Sequence, residues 1–248
     1  MPESQYRDNR GEKDLAPKFD NQKLLFDKLQ EKDSLLVYNI NILTMRLILA
    51  QDSLSKLKDY ELRYKVKPGE YNFKDSILVT GFQSTVLVPT HIGEQVVPET
   101  IRAHEYFYGF LMHLVSVLDR LSHEINALYK LEANTNNLDW RNLKTHLNKL
   151  KLLNKNLASF LEENSRSKNP HLDALFNYRD VSEHHGLVKI EEFSGTIINI
   201  DKSWSIKVQA DPRDPDSPID KNLIQFSNLM FFEVVSICDN VYKLIIEN

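Results

Sequence analysis

The chain has 248 residues, 42% of them hydrophobic and 27% charged, with a formal net charge of −4 and a single cysteine. This balance suits a sizeable apolar core under a charged surface, and one cysteine excludes an internal disulfide or a cysteine-built metal cluster. No global field draws such a chain onto nucleic acid or an acidic membrane, so binding of that kind requires a local basic patch.

Residues 1–18 are polar, charged and without periodicity, which predicts a disordered tail ahead of a single domain over 19–248. No apolar h-region marks a signal peptide, and no apolar run is long enough to span a membrane, so a cytoplasmic location is expected. From about Asn21 to Tyr64 the pattern is helical. Leu36, Ile40, Leu43, Leu47, Ala50, Leu54 and Leu57 form one stripe, and Tyr38, Ile42, Met45 and Leu49 add a second face, predicting a helix buried on two sides. Lys67-Pro68-Gly69 ends it. Residues 74–97 are rich in β-branched side chains and broken by glycine and proline, which predicts an extended excursion with a short hairpin.

Pro98 suits the first turn of a second helix reaching about Leu131, with His104, Phe107, Leu111, Leu114, Leu118, Leu121, Ile125 and Leu128 as its stripe. A third helix is predicted from about Trp140 to Glu163, carrying Leu143, Leu147, Leu150, Leu157 and Leu161 on one face. A short helix follows from about His171 to His185, with Gly186 placed to cap it. Alternating Ile and Val over 187–210 predict a small β-hairpin or meander. After the rigid acidic loop "DPRDPDSP", a last helix runs from Asp220 to Ile246 with Leu223, Phe226, Met230, Val234, Ile237, Val241 and Leu244 inward. The expected fold is mainly all-α: an antiparallel bundle of four or five helices with a small β insertion before the last helix.

Motifs for the common chemistries are missing. His104, His113 and His123 lie on different sides of one helix, and there is no HExxH, EF-hand loop, P-loop, GxGxxG or GxSxG, so neither a metal nor a cofactor is expected. Cys238, in an apolar run, reads as a small buried side chain. What remains is "NYRDVSEHHG", Asn177 to Gly186, where Arg179 is followed by Asp180 and then by His184 and His185. Two other arginines have a histidine five residues on. Arg166 ("RSKNPH") has Pro170 in between and no acid or amide directly after it; Arg141 ("RNLKTH") opens a helix beside a leucine stripe.

The segment Tyr178-Arg179-Asp180-Val181-Ser182-Glu183-His184-His185 resembles the signature of HEPN domains, an arginine and a polar residue followed within a few positions by histidine. The resemblance implies a helical bundle and, in many members, a metal-independent RNase that works as a dimer in toxin or defence systems, with a protein partner such as an antitoxin. It implies that Arg179 stabilises phosphate charge and that His184, with His185 in reserve, acts as acid and base. Such roles suit a guanidinium, which offers parallel donors to phosphate oxygens, and an imidazole, which titrates near neutrality. Asp180, four residues before His184, is expected to orient the imidazole. On an ideal helix Arg179 and His184 lie about 140° apart. A plain alternative is an Arg179–Glu183 pair at i, i+4. Arg141, Lys144, Lys151 and Lys155 recur at helical spacing opposite the leucines and form a candidate basic track for RNA. The competing expectation is a non-catalytic binding or dimerisation module, its partner meeting the second face of the first helix.

Overall fold

A computed structural model of the chain describes residues 34–66, 76–81, 84–89, 99–131, 138–184, 188–193 and 205–248. The expected tail at 1–18, His185 and Gly186 lie outside them.

Six α-helices and five short strands are present among these residues. Helix α1 (Ser34–Val66) would be about 50 Å long at 1.5 Å per residue, and it packs along α2 (Glu99–Tyr129). Ile40, Leu43, Leu47, Ala50, Leu54 and Leu57 of α1 are buried, as the stripe predicts. The second face behaves differently. Ile42 and Leu49 are half-buried, and Met45 and Ile48 are 49% and 52% exposed, so α1 buries one side and not two. The doubly buried helix is α2. Beyond Phe107, Leu111, Leu114, Leu118, Leu121 and Ile125 it also buries Phe110, Val117, Ser122 and Glu124, because α5 and α6 cover the side that α1 does not. Strands β1 (Ser76–Gly81) and β2 (Ser84–Pro89) pair antiparallel, as the hairpin expected within 74–97 requires.

The third helix is not continuous. A 3₁₀ turn at Leu143–His146 leads into α3 (Leu147–Leu153), and Asn154 breaks the chain with φ −149° and ψ 93° before α4 (Lys155–Glu163) begins. The interruption is stabilised by what the Asn154 side chain does there. Its Oδ1 accepts the Leu157 N–H at 3.0 Å, capping α4, while Nδ2 donates to Tyr129 Oη at 2.9 Å and to the Leu244 carbonyl at 3.0 Å. One amide therefore ties α4 to the ends of α2 and α6.

Helix α5 (Pro170–His184) opens with proline in its first turn, where a missing N–H is harmless. Asn169 caps it, its Oδ1 accepting from the backbone N–H groups of His171 and Leu172, while its Nδ2 donates to Asn164 and to Glu233. Strands β3 (Ile190–Phe193), β4 (Ser205–Gln209) and β5 (Ile219–Asn222) form an antiparallel sheet in that order, with Ile190 opposite Val208 and a register irregularity at Val208/Gln209.

The strand β5 replaces the first residues expected in the last helix. Asn222 accepts the Gln225 N–H at 2.8 Å and so fixes the start of α6 (Leu223–Ile246) after itself. The inward row of α6 is as expected from Leu223 to Val241, with Cys238 and Tyr242 fully buried beside it. Phe107 of α2, Tyr178 of α5 and Phe226 of α6 meet edge-on or tilted at centroid distances of 4.7–6.3 Å, a contact worth about 0.5–1.5 kcal/mol per pair beyond burial. The buried residues from Ile40 to Tyr242 form one cluster. Among the described residues no helix is long and apolar enough to cross a membrane.

Candidate functional site

Two consecutive side chains give α5 its position. Tyr178 points inward, and its hydroxyl donates to the Gln209 carbonyl at the end of β4; the Lys221 ammonium of β5 donates to the same hydroxyl at 3.1 Å and to the Ala210 carbonyl at 2.8 Å. Burial pushes the Tyr178 hydroxyl pKa up and that of Lys221 down, so the phenol holds its proton and serves as a structural donor. Arg179, one residue on, pairs with Asp180 and Glu183, and Asp180 meets arginines of the two loops beside α5, Arg141 before α3 and Arg166 between α4 and α5.

There the structure gathers all three arginines that the Arg–His spacing singles out. Arg166, set aside on sequence grounds, lies at the centre. Its guanidinium donates to Asp173 at 3.2 Å, Asp180 at 3.1 Å and Asn177 at 2.6 Å, three side chains on one face of α5. Arg141 lies 3.7 Å from the same Asp180 oxygen and 3.6 Å from Asp139. Both guanidiniums stack on the Phe176 ring, at 5.6 Å for Arg141 and 5.4 Å for Arg166. Arg179 Nη1 lies 3.3 Å from Asp180 Oδ1 and 2.5 Å from Glu183 Oε2. The Arg179 side chain is only 11% exposed, and its Nε is buried without a hydrogen-bond partner.

The i, i+4 pair of Arg179 with Glu183 is thus present, and its arginine lies deeper than a surface pair requires. Behind it, Asp119 of α2 accepts the Trp140 N–H at 3.0 Å. Burial raises the Asp119 carboxyl pKa, with Asp139 adding to the effect, while the Trp140 N–H and the charges of Arg179 and Arg141 oppose it.

Asp180 is turned to the arginines, because Arg166, Arg141 and Arg179 all converge on its carboxylate. The carboxylate found against His184 is that of Glu183, with Oε2 at 3.6 Å from His184 Nε2. The same Glu183 oxygen therefore bonds Arg179 and lies 3.6 Å from the His184 ring nitrogen. Their head groups lie no farther apart than those two distances together, despite the angle between their positions on the helix. The side chain shortens the gap that the backbone opens. His184 is 59% exposed and Glu183 33%, so this end of α5 is open to solvent.

The expected basic track divides. Lys144, Lys151 and Lys155 are exposed, but Asn154 places Lys155 on a different helix from Lys151. Arg141 turns in toward Asp180, the carboxylate that Arg166 and Arg179 also meet. Sequence reasoning missed Arg166, Asp119 and the double contact of Glu183. The spacing of Glu183 from Arg179 was a usable signal; the other two come from distant segments. Among the described residues no group of three or more His, Cys, Asp or Glu could hold a metal ion. Burial lowers the pKa of His104, His113 and His123, and the Arg46 guanidinium, 3.4 Å from His113 Nδ1, adds to the effect there.

Comparison with known family models, with curated proteins and with solved structures finds no match for this chain.

Proposed function

We propose that the chain is a HEPN-like, metal-independent endoribonuclease, cytoplasmic and homodimeric, of the kind that serves as a toxin or defence effector under a protein inhibitor. The observation that carries this reading is the meeting of Arg179 Nη1 and His184 Nε2 on one oxygen of Glu183. An anionic oxygen held between a guanidinium and an imidazole is the arrangement that a scissile phosphate needs.

In the proposed reaction the His184 imidazole takes the proton of the ribose 2′-hydroxyl as its oxygen attacks phosphorus. Arg179 balances the charge that builds on the phosphate oxygens, and the protonated imidazole returns the proton to the departing 5′-oxygen, leaving a 2′,3′-cyclic phosphate. Asp180 fixes the arginines. Arg141, 39% exposed at its side chain, offers a further phosphate contact. The test is cleavage of single-stranded RNA by the pure protein in EDTA. Activity must fall by about 100-fold or more in Arg179→Ala and in His184→Ala with His185→Ala. Full activity in those variants refutes the assignment.

A second reading, a HEPN-like binding module without catalysis, is favoured by a specific observation. Arg179 is almost fully buried and already neutralised by Asp180 and Glu183. On this reading the arginines serve to hold α5 against the neighbouring loops, and no variant at residue 179 or 184 changes RNA in solution. Light scattering on the wild type tests the dimer separately.

A further inference from the structure

The charges around Arg179 pose a problem for any polyanion. Carboxylates outnumber the three guanidiniums: Asp119, Asp139, Asp173, Asp180 and Glu183 all stand against Arg141, Arg166 or Arg179. A phosphate approaching this cluster meets net negative charge, and each carboxylate that leaves lowers that charge by one.

Four of the five are tied down by more than an ion pair or by more than one arginine. Asp119 accepts the Trp140 N–H, and Asp139 accepts the Asn142 N–H at 2.7 Å. Asp173 accepts from Arg166 and from Asn177 at 3.0 Å, and Asp180 is shared by three arginines. Glu183 differs. It sits in the last turn of α5 on the solvent side, has one more methylene than an aspartate, and meets Arg179 and His184 through a single oxygen. Rotation about its side-chain bonds removes that oxygen without moving any backbone.

We infer that the Glu183 carboxylate occupies the seat of a phosphate group: it is an internal occluder that keeps Arg179 and His184 together and masks them until the phosphate of a single-stranded RNA displaces it. This inference rests on the proposed function for the choice of ligand and concerns binding rather than cleavage. Three facts support it. The carboxylate oxygen lies where a phosphate oxygen would meet both groups. His184 is 59% exposed and Glu183 33%, so a phosphate can reach the place of that oxygen from solvent. A tetrahedral phosphate, with more oxygens than a carboxylate, can engage a guanidinium through two parallel donors.

The experiment measures anisotropy of a labelled, 2′-O-methylated oligoribonucleotide, which cannot be cleaved through its 2′-oxygen, with the full chain in EDTA. Glu183→Gln removes the charge and keeps the size, and it should bind about tenfold tighter than wild type. Glu162→Gln makes the same change in net charge in a side chain paired with Lys168 and not with the three arginines, and should bind as wild type does. Adding Arg179→Ala to Glu183→Gln should abolish the gain.

The inference is overturned if Glu183→Gln and Glu183→Ala, both folded by circular dichroism, bind no more tightly than wild type. It is equally overturned if the gain survives loss of Arg179 or is matched by Glu162→Gln. Tighter binding by Glu183→Gln with no cleavage by any form removes the nuclease and leaves the occluder. Cleavage that depends on Arg179 with binding indifferent to Glu183 does the reverse.

Discussion

Glu124 is the most demanding charge in the fold. It is 2% exposed on α2, receives one hydrogen bond, from Tyr242 Oη of α6 at 2.8 Å, and leaves its other oxygen without a partner. Burial pushes its carboxyl up from 4.5 to about 8, although the Tyr242 hydroxyl pulls the other way by favouring the anion. The folded protein therefore holds a proton that the unfolded chain has released. The stabilisation from that proton is fully present below about pH 4.5 and is lost as pH rises through about 8.

At about 1.4 kcal/mol per pH unit, the swing between acid and alkaline solution is on the order of 5 kcal/mol. Glu124→Gln keeps the shape and an acceptor for Tyr242, places an amide where the lone oxygen was, and cannot ionise. At pH 5.5 it should match wild type to within about 1 kcal/mol. At pH 9 it should be the more stable of the two by several kcal/mol, a large part of a typical domain's margin. Urea unfolding of both proteins at the two pH values measures the difference, and every other titrating group cancels in the comparison. Cys238, whose thiol pKa burial raises well above 9, stays neutral throughout. Parallel pH profiles for the two proteins would refute the reasoning.

Two substitutions probe how the site is held. Asn154→Ala deletes the cap of α4 and leaves Tyr129 Oη and the Leu244 carbonyl without their donor; it should cost about 2–3 kcal/mol in denaturant unfolding, and less than about 0.5 kcal/mol would contradict the role given to this side chain. Arg166→Lys retains charge but cannot reach Asp173, Asp180 and Asn177 at once; a loss of about 1–2 kcal/mol is expected, against a smaller one for Arg141→Lys, whose contacts are longer.

The helices were legible because burial repeats at the period of the α-helix: the inward residues of α1, α2 and α6 could be read almost position by position. The failures have separate causes. Leu150 and Leu157 are seven apart and both fully buried, so the stripe runs across Asn154 as if the helix did not stop. The strand β5, Ile219–Asn222, is too short and polar for alternation to show, and it exists because it pairs with β4. The exposed half of α1 depends on what the rest of the chain covers, which periodicity does not encode. At the site, the local pair of Arg179 and Glu183 could be read from spacing, whereas the convergence of Arg141 and Arg166 on Asp180 needed the tertiary fold. Proline and the lack of an acid or amide neighbour argued against Arg166 as half of a motif; neither bears on its use as a clamp.

The contacts of Tyr178 have a mechanical consequence. Neighbouring residues on a helix are about 100° apart around its axis, so locking the rotation of one residue sets the bearing of the next. With its hydroxyl hooked to the backbone at Gln209 and steadied by Lys221, Tyr178 acts as an index pin for α5. The small sheet, with no catalytic residue of its own in the proposed site, thereby aims Arg179. A change confined to the strand edge would leave every site residue in place chemically and still turn the guanidinium off its mark.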